Sequence, residues 1–288
     1  MRAGNRPMTH LVFCVLLGLI IIASSYLTDA SEPRTALQTS NGGFFARLIS
    51  LESTPDSCFV TYLSDCNLSV WRKLYSDKVL SGVSVFELTH YDSITISPDT
   101  HDYLLLIELG PGSKPSDILD AEAVSGCGDH QDAPPFSIVR SAYLSYTPNS
   151  YYGFPEPVSK VLGAPLNYLV EFIGVEDTPA HLAKYHELMS KYFGPANGLL
   201  VESGMLHCFV ALENIEVLSS SSGAIPWNQI HISDDWDSGG DVNWDSVYVD
   251  LFRSEFSCDL DSVLAQLPPT NETRADYHGR LIPNLCVR

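Results

Sequence analysis

Four pieces of the second half decide the reading of the fold: Asn167–Ile173 (NYLVEFI), Thr178–Phe193 (TPAHLAKYHELMSKYF), Gly204–Leu212 (GMLHCFVAL) and Trp227–Ser233 (WNQIHIS). The second piece is an amphipathic helix. Thr178 supplies an N-cap, and Pro179 takes the first helical position, where its missing N–H costs nothing. Leu182, Tyr185, Met189, Tyr192 and Phe193 form an apolar stripe, with Lys184, Glu187 and Lys191 opposite. Gly194-Pro195 predicts its end. The other three pieces alternate with period two. Tyr168, Val170 and Phe172 oppose Asn167 and Glu171; Leu206, Cys208 and Val210 oppose Met205, His207 and Phe209; Ile230 and Ile232 oppose Trp227, Gln229, His231 and Ser233. The order is β-α-β-β. Packing the helix stripe on the aliphatic faces leaves a second, more polar face as the expected pocket.

The first half carries the same order. Gly43–Leu51 alternates as a strand, Pro55–Lys78 reads as loop and helix closed by Ser81-Gly82, and Val83–Tyr91 and Tyr103–Leu109 are strands. Gly110-Pro111-Gly112 marks a sharp turn, Pro115–Val124 a short helix, and Phe136–Tyr146 a strand rich in β-formers. That is β-α-β-β-α-β, the ferredoxin-like unit. The proline-rich segment 148–165 reads as a linker. Beyond Ser233 the expected elements are an acidic loop (Asp234–Asn243), a helix near Trp244–Phe256 and a last strand within Arg274–Leu285. The fold class is therefore α+β: a leader at 1–30, one unit at 31–147, a linker at 148–165 and a second unit at 166–288.

Arg2 and Arg6 precede an apolar run, Leu11–Ala23, with a candidate cleavage after Ala30. Such a run suits a signal peptide and is short for a membrane span, so the expectation is export, with membrane anchorage only if the segment is retained. The formal net charge is −19, and losing Arg2, Arg6 and Asp29 with the leader makes it one unit more negative. That surface repels phosphate backbones and argues against nucleic-acid partners. Cys58, Cys66, Cys127, Cys208, Cys258 and Cys286 then remain, an even number that favours disulfides in an exported chain, with Cys258–Cys286 the expected pair. No C-x-x-C occurs, so zinc and thioredoxin-like chemistry are not indicated. Asn67-Leu-Ser69 and Asn271-Glu-Thr273 match the glycosylation sequon.

Trp71-x3-Tyr75 leading to Ser81-Gly82-Val83, the strand Tyr103-Leu-Leu-Leu-Ile-Glu-Leu109, Tyr185-His186-Glu187 and Trp227-x-Gln229-Ile-His231 together resemble the dimeric α+β barrel superfamily, in its EthD-like or stress-responsive branch. The resemblance spans about residues 40–285. It implies two antiparallel sheets packed into a barrel, here within one chain. The activities it implies include cofactor-free oxygenation, polyketide cyclisation and haem chemistry, and fold alone does not choose among them. No cofactor is assigned.

Alternation gathers Asn167, Glu171, His207, Gln229 and His231 on the second face, where a barrel interior would lie. His207 and His231 are the candidate catalytic residues, since imidazole suits acid–base work; Asn167, Glu171, His186 and Gln229 are candidate ligand contacts. Hydrogen-bonded barrel filling is the competing reading of the same residues. Glu171, His207 and His231 have the composition of a two-histidine, one-carboxylate metal site, yet no local ligand spacing supports one, and no metal is assigned. His181 and His186 are five apart and do not converge on a helix. Asp235–Asp245 resembles a calcium loop but lacks the closing glutamate, so a solvated acidic turn is expected. Ser219–Ser222 reads as a connector between two strands. The expected function is that of an exported small-molecule-binding barrel, in the enzymatic version an EthD-like cofactor-free oxygenase or cyclase acting on an aromatic or polyketide-like compound. The rival is a non-catalytic, disulfide-stabilised structural or interaction protein.

Overall fold

The computed structural model describes residues 42–51, 55–90, 101–125, 136–153, 155, 167–175, 178–221, 224, 226–234, 242–268 and 272–288. The expected leader, most of the linker, the core of the acidic loop, Cys127 and Asn271 lie outside these residues.

Eight strands form one closed antiparallel barrel in the order β1-β3-β2-β8-β5-β7-β6-β4. They are β1 (Phe44–Ser50), β2 (Leu80–His90), β3 (Tyr103–Leu109), β4 (Ser137–Tyr152), β5 (Asn167–Gly174), β6 (Phe209–Ser220), β7 (Gln229–Asp234) and β8 (Glu272–Leu281). Each half contributes a ferredoxin-like sheet, β4-β1-β3-β2 and β6-β7-β5-β8. The two sheets join through β2·β8 and β4·β6, so neither keeps a free outer edge strand. The two halves thus make a barrel within one chain.

Helices cover the outside. In the first half α1 (Asp56–Tyr62) and α2 (Leu68–Ser76) are joined by a π turn, Leu63–Asn67, and α3 (Pro115–Val124) follows β3. In the second half α4 (Pro179–Leu188) and α5 (Gly194–Glu202) are joined by a π turn, Met189–Phe193. The helices α6 (Trp244–Glu255) and α7 (Leu260–Leu264) precede β8. Thr178 Oγ1 accepts from the His181 N–H at 3.3 Å, the N-cap its sequence implied.

Several expectations are corrected. Gly194-Pro195 does not end the helix. The wide turn bonds the Gly194 N–H to the Met189 carbonyl, and this i→i−5 geometry accommodates a proline that would break a regular ladder. Gly194 instead permits close packing, because a Cβ there would collide with the Asn149 carbonyl oxygen of β4. Strand β4 runs on through Tyr152, into the segment read as linker. Ser219 belongs to β6, its hydroxyl 2.6 Å from that of Ser141, so it is not a connector.

The largest correction concerns which strand faces point inward. Phe44, Phe86, Leu104, Leu144, Val170, Phe172, Val210, Leu212, Ile230, Ile232 and Tyr277 share one buried cluster drawn from all eight strands, which is the barrel interior. The aliphatic faces therefore line the lumen and do not meet the helices. An eight-stranded barrel is just narrow enough for side chains to fill it, and these do. Tyr185 and Met189 pack on the opposite, outer faces, against Ile173, Phe209 and Ala211. At one end of the barrel, Glu108 pairs with Arg288 at 3.0 Å; at the other, Arg140 lies over Trp227.

Cys258 and Cys286 are not joined to each other, which overturns the expected Cys258–Cys286 pair. Cys286 Sγ instead lies 3.2 Å from the Ile282 carbonyl. Asn67 is buried and donates its amide to Glu122 Oε1 at 3.2 Å, so the folded chain does not present this sequon.

Candidate functional site

The outer face of the second sheet carries two polar rows beneath α4. In the first, Glu171 on β5 stands directly between His231 on β7 and Asp276 on β8. The Tyr185 hydroxyl of α4 is hydrogen-bonded to His231 Nε2 at 2.6 Å. His231 Nδ1 lies 3.9 Å from Glu171 Oε2, too far for a hydrogen bond. Burial pulls His231 down to about 4. Burial, reinforced by the neighbouring Asp276 carboxylate, pushes Glu171 up to about 7. Burial also raises Asp276, whose Oδ1 is sequestered with no partner among the described residues. At neutral pH His231 is thus uncharged, and the Glu171 side chain is 30% exposed.

The first half fills the equivalent space differently. Arg47 of β1 meets Glu122 of α3 at 2.7 Å, and Asn67 and Trp71 Nε1 both donate to the other oxygen of Glu122. There a charge is matched by a charge. In the second half two carboxyl groups adjoin a neutral imidazole, an arrangement that concentrates perturbed acidities where function tends to lie.

The second row opens to solvent. Gln229 of β7 stands between Ile173 and Glu213, its cross-strand partners. His186, next to Tyr185 on α4, donates Nε2–H to Glu213 Oε2 at 2.5 Å. Gln229 Nε2 approaches the same oxygen at 3.5 Å, and Thr147 donates to Gln229 Oε1 at 3.0 Å. His186, Glu213 and Gln229 form one wall of a groove of about 780 Å³, bounded by Leu182 and His186 of α4, by β6 from Glu213 to Val217, and by residues 226–229. Arg140 reaches its rim, donating to the Trp227 carbonyl at 2.7 Å with its guanidinium 4.6 Å from the centre of the Trp227 ring.

The predicted residues separate accordingly. His186 and Gln229 meet in the groove. Glu171 and His231 meet in the row under α4, outside the lumen where alternation had put them. His207 is exposed and precedes β6, so it does not join His231. Asn167 is the exposed first residue of β5, at the end of that strand away from Ile173 and the groove. Trp227 lies ahead of β7, and its ring enters the lumen against Phe172, centroids 5.2 Å apart. Sequence reasoning missed Glu213, Arg140 and Asn214. Carrying the alternation of Phe209 and Ala211 one step past Leu212 would have put Glu213 on the helix-facing side. Among the described residues, no group of three or more His, Cys, Asp or Glu could hold a metal ion.

No family model and no curated protein matches the chain. Among solved structures it is similar to a mutant chlorite dismutase from Candidatus Nitrospira defluvii, at 13% identity over 87% of this chain and 95% of that one, with a TM-score of 0.40. It is also similar to a dye-decolorizing protein from V. cholerae, at 12% identity over 87% and 97%, with a TM-score of 0.42.

Proposed function

We propose that the chain is an exported protein that binds a small organic molecule in the groove between α4 and β6–β7. The observation that carries this is the hydrogen-bonded set Gln229–Glu213–His186 along one wall of an open concavity, with the buried Thr147 holding Gln229 from behind. Concave sites with mostly apolar walls and a few fixed polar groups are the usual form of small-molecule sites. The Glu213 bond fixes the His186 tautomer and leaves Nδ1 as an acceptor. A cofactor-free oxygenase or cyclase reaction, of the kind the EthD-like resemblance implies, would use this imidazole to take a substrate proton, with Glu213 holding it. A second reading, a non-catalytic interaction protein, is favoured by the apolar, side-chain-filled lumen.

Native mass spectrometry of the purified protein decides between them. A retained small molecule, lost in Glu213→Ala while the variant stays folded by circular dichroism, supports the groove. A bare mass for the wild type from its native source, with no gain from a metabolite extract, supports the interaction protein.

A further inference from the structure

We propose that the groove selects an organic cation, a protonated amine on a compact apolar body; this rests on the groove being the binding site. The acceptors come from one strand. Glu213 spends a single oxygen, Oε2, on both His186 and Gln229, and its Oε1 takes no bond among the described residues. Asn214 donates Nδ2 to the Trp227 carbonyl at 2.8 Å, while its Oδ1, buried at the groove wall, accepts nothing among the described residues. Glu216 lines the same groove, is exposed, and has no ion-pair partner among the described residues.

The positive charge nearby is already committed. Arg140 is buried, bonded to the Trp227 carbonyl and stacked on its ring. An anionic ligand would therefore meet two carboxylates in a protein whose formal net charge is −19. An ammonium would gain charge-assisted hydrogen bonds from the same groups. The remaining walls, Val175, Leu182, Ile215, Val217 and Pro226, are apolar and suit a hydrocarbon or aromatic body.

Three probes of one shape test this by isothermal titration at pH 7.5 and low salt: phenethylamine, 2-phenylethanol and 3-phenylpropanoate. The expected result is that the amine binds at least tenfold more tightly than either of the others. Glu213→Gln and Glu216→Gln should each shrink that preference, Glu213→Gln by about tenfold, as loss of a charged hydrogen bond requires. Equal binding of alcohol and amine, lost in Leu182→Asp, overturns the cation preference and leaves the groove as the site. Binding that ignores Leu182→Asp overturns both. Failure of the amine to bind at millimolar concentration overturns the cation preference, and ligand retention in native mass spectrometry then judges the groove separately.

Discussion

The Tyr185 hydroxyl lies 2.6 Å from Nε2 of His231, and this bond pins α4 to the outer face of β7. It is a buried polar contact between a helix and a strand, so each partner depends on the other for satisfaction. His231→Ala should therefore destabilise the fold by about 1–3 kcal/mol, because it strands the Tyr185 hydroxyl. Tyr185→Phe should cost about 1–3 kcal/mol as well, since it leaves the buried His231 Nε2 without its partner. Urea unfolding of both variants checks this; a His231→Ala midpoint equal to wild type would remove the contact from the account.

Glu171 and His231 give opposing pH dependences. Folding raises the Glu171 pKa to about 7, so its stabilising contribution is full below the ordinary carboxylate range and is lost as pH rises toward 7. Folding lowers the His231 pKa to about 4, so its contribution is full above the ordinary imidazole range and is lost as pH falls toward 4. Between those limits the two slopes largely cancel in the wild type. Glu171→Gln should expose the histidine, giving stability that rises with pH. His231→Gln should expose the carboxyl, giving stability that falls with pH. Glu171 is partly exposed, so each tilt should be on the order of 1–2 kcal/mol across this window. Urea midpoints at pH 4.5 and 7 read both slopes, and parallel slopes in the two variants contradict the assignment.

Glu122 anchors the first half. Glu122→Ala leaves Arg47 buried without its counter-charge and removes an acceptor from Asn67 and Trp71. The expected cost is about 3–5 kcal/mol. Glu122→Gln keeps acceptor capacity and should cost less. Chemical denaturation ranks the two, and the reverse order would contradict the pairing.

Gly194→Ala discriminates between two roles for that glycine. A helix-stopping residue would tolerate alanine, whereas a packing glycine would not, because its Cβ meets backbone and not a movable side chain. A loss of about 1–3 kcal/mol in thermal or urea unfolding is expected. A neutral or stabilising outcome would restore the helix-stop reading.

Much of the architecture is legible in the sequence because strand order and helix caps are local signals. Thr178-Pro179 marks a helix start wherever it lies, and Tyr103–Leu109 and Pro115–Val124 occupy their expected limits. The inward face was not legible. Val170 and Phe172 are apolar, but so are Leu169 and Ile173; Val210 and Leu212 are matched by Phe209 and Ala211. Only the closure of β2 on β8 and of β4 on β6 decides which set fills the lumen, and no local pattern reports that contact. The groove was half legible for the same reason: His186 and Gln229 are visible as polar positions, but Glu213 becomes their partner through the β6–β7 register.

The central claim is that a ligand binds outside the barrel, against α4, and not inside it. Titration of the ligand recovered by native mass spectrometry into labelled protein, followed by amide and methyl NMR, tests this most directly. The account predicts shifts at His186, Glu213, Gln229 and Leu182, with Val170, Val210 and Ile230 unmoved. Shifts concentrated on Val170, Val210, Ile230 and Ile232, with His186 and Glu213 silent, would put the ligand in the lumen and contradict it.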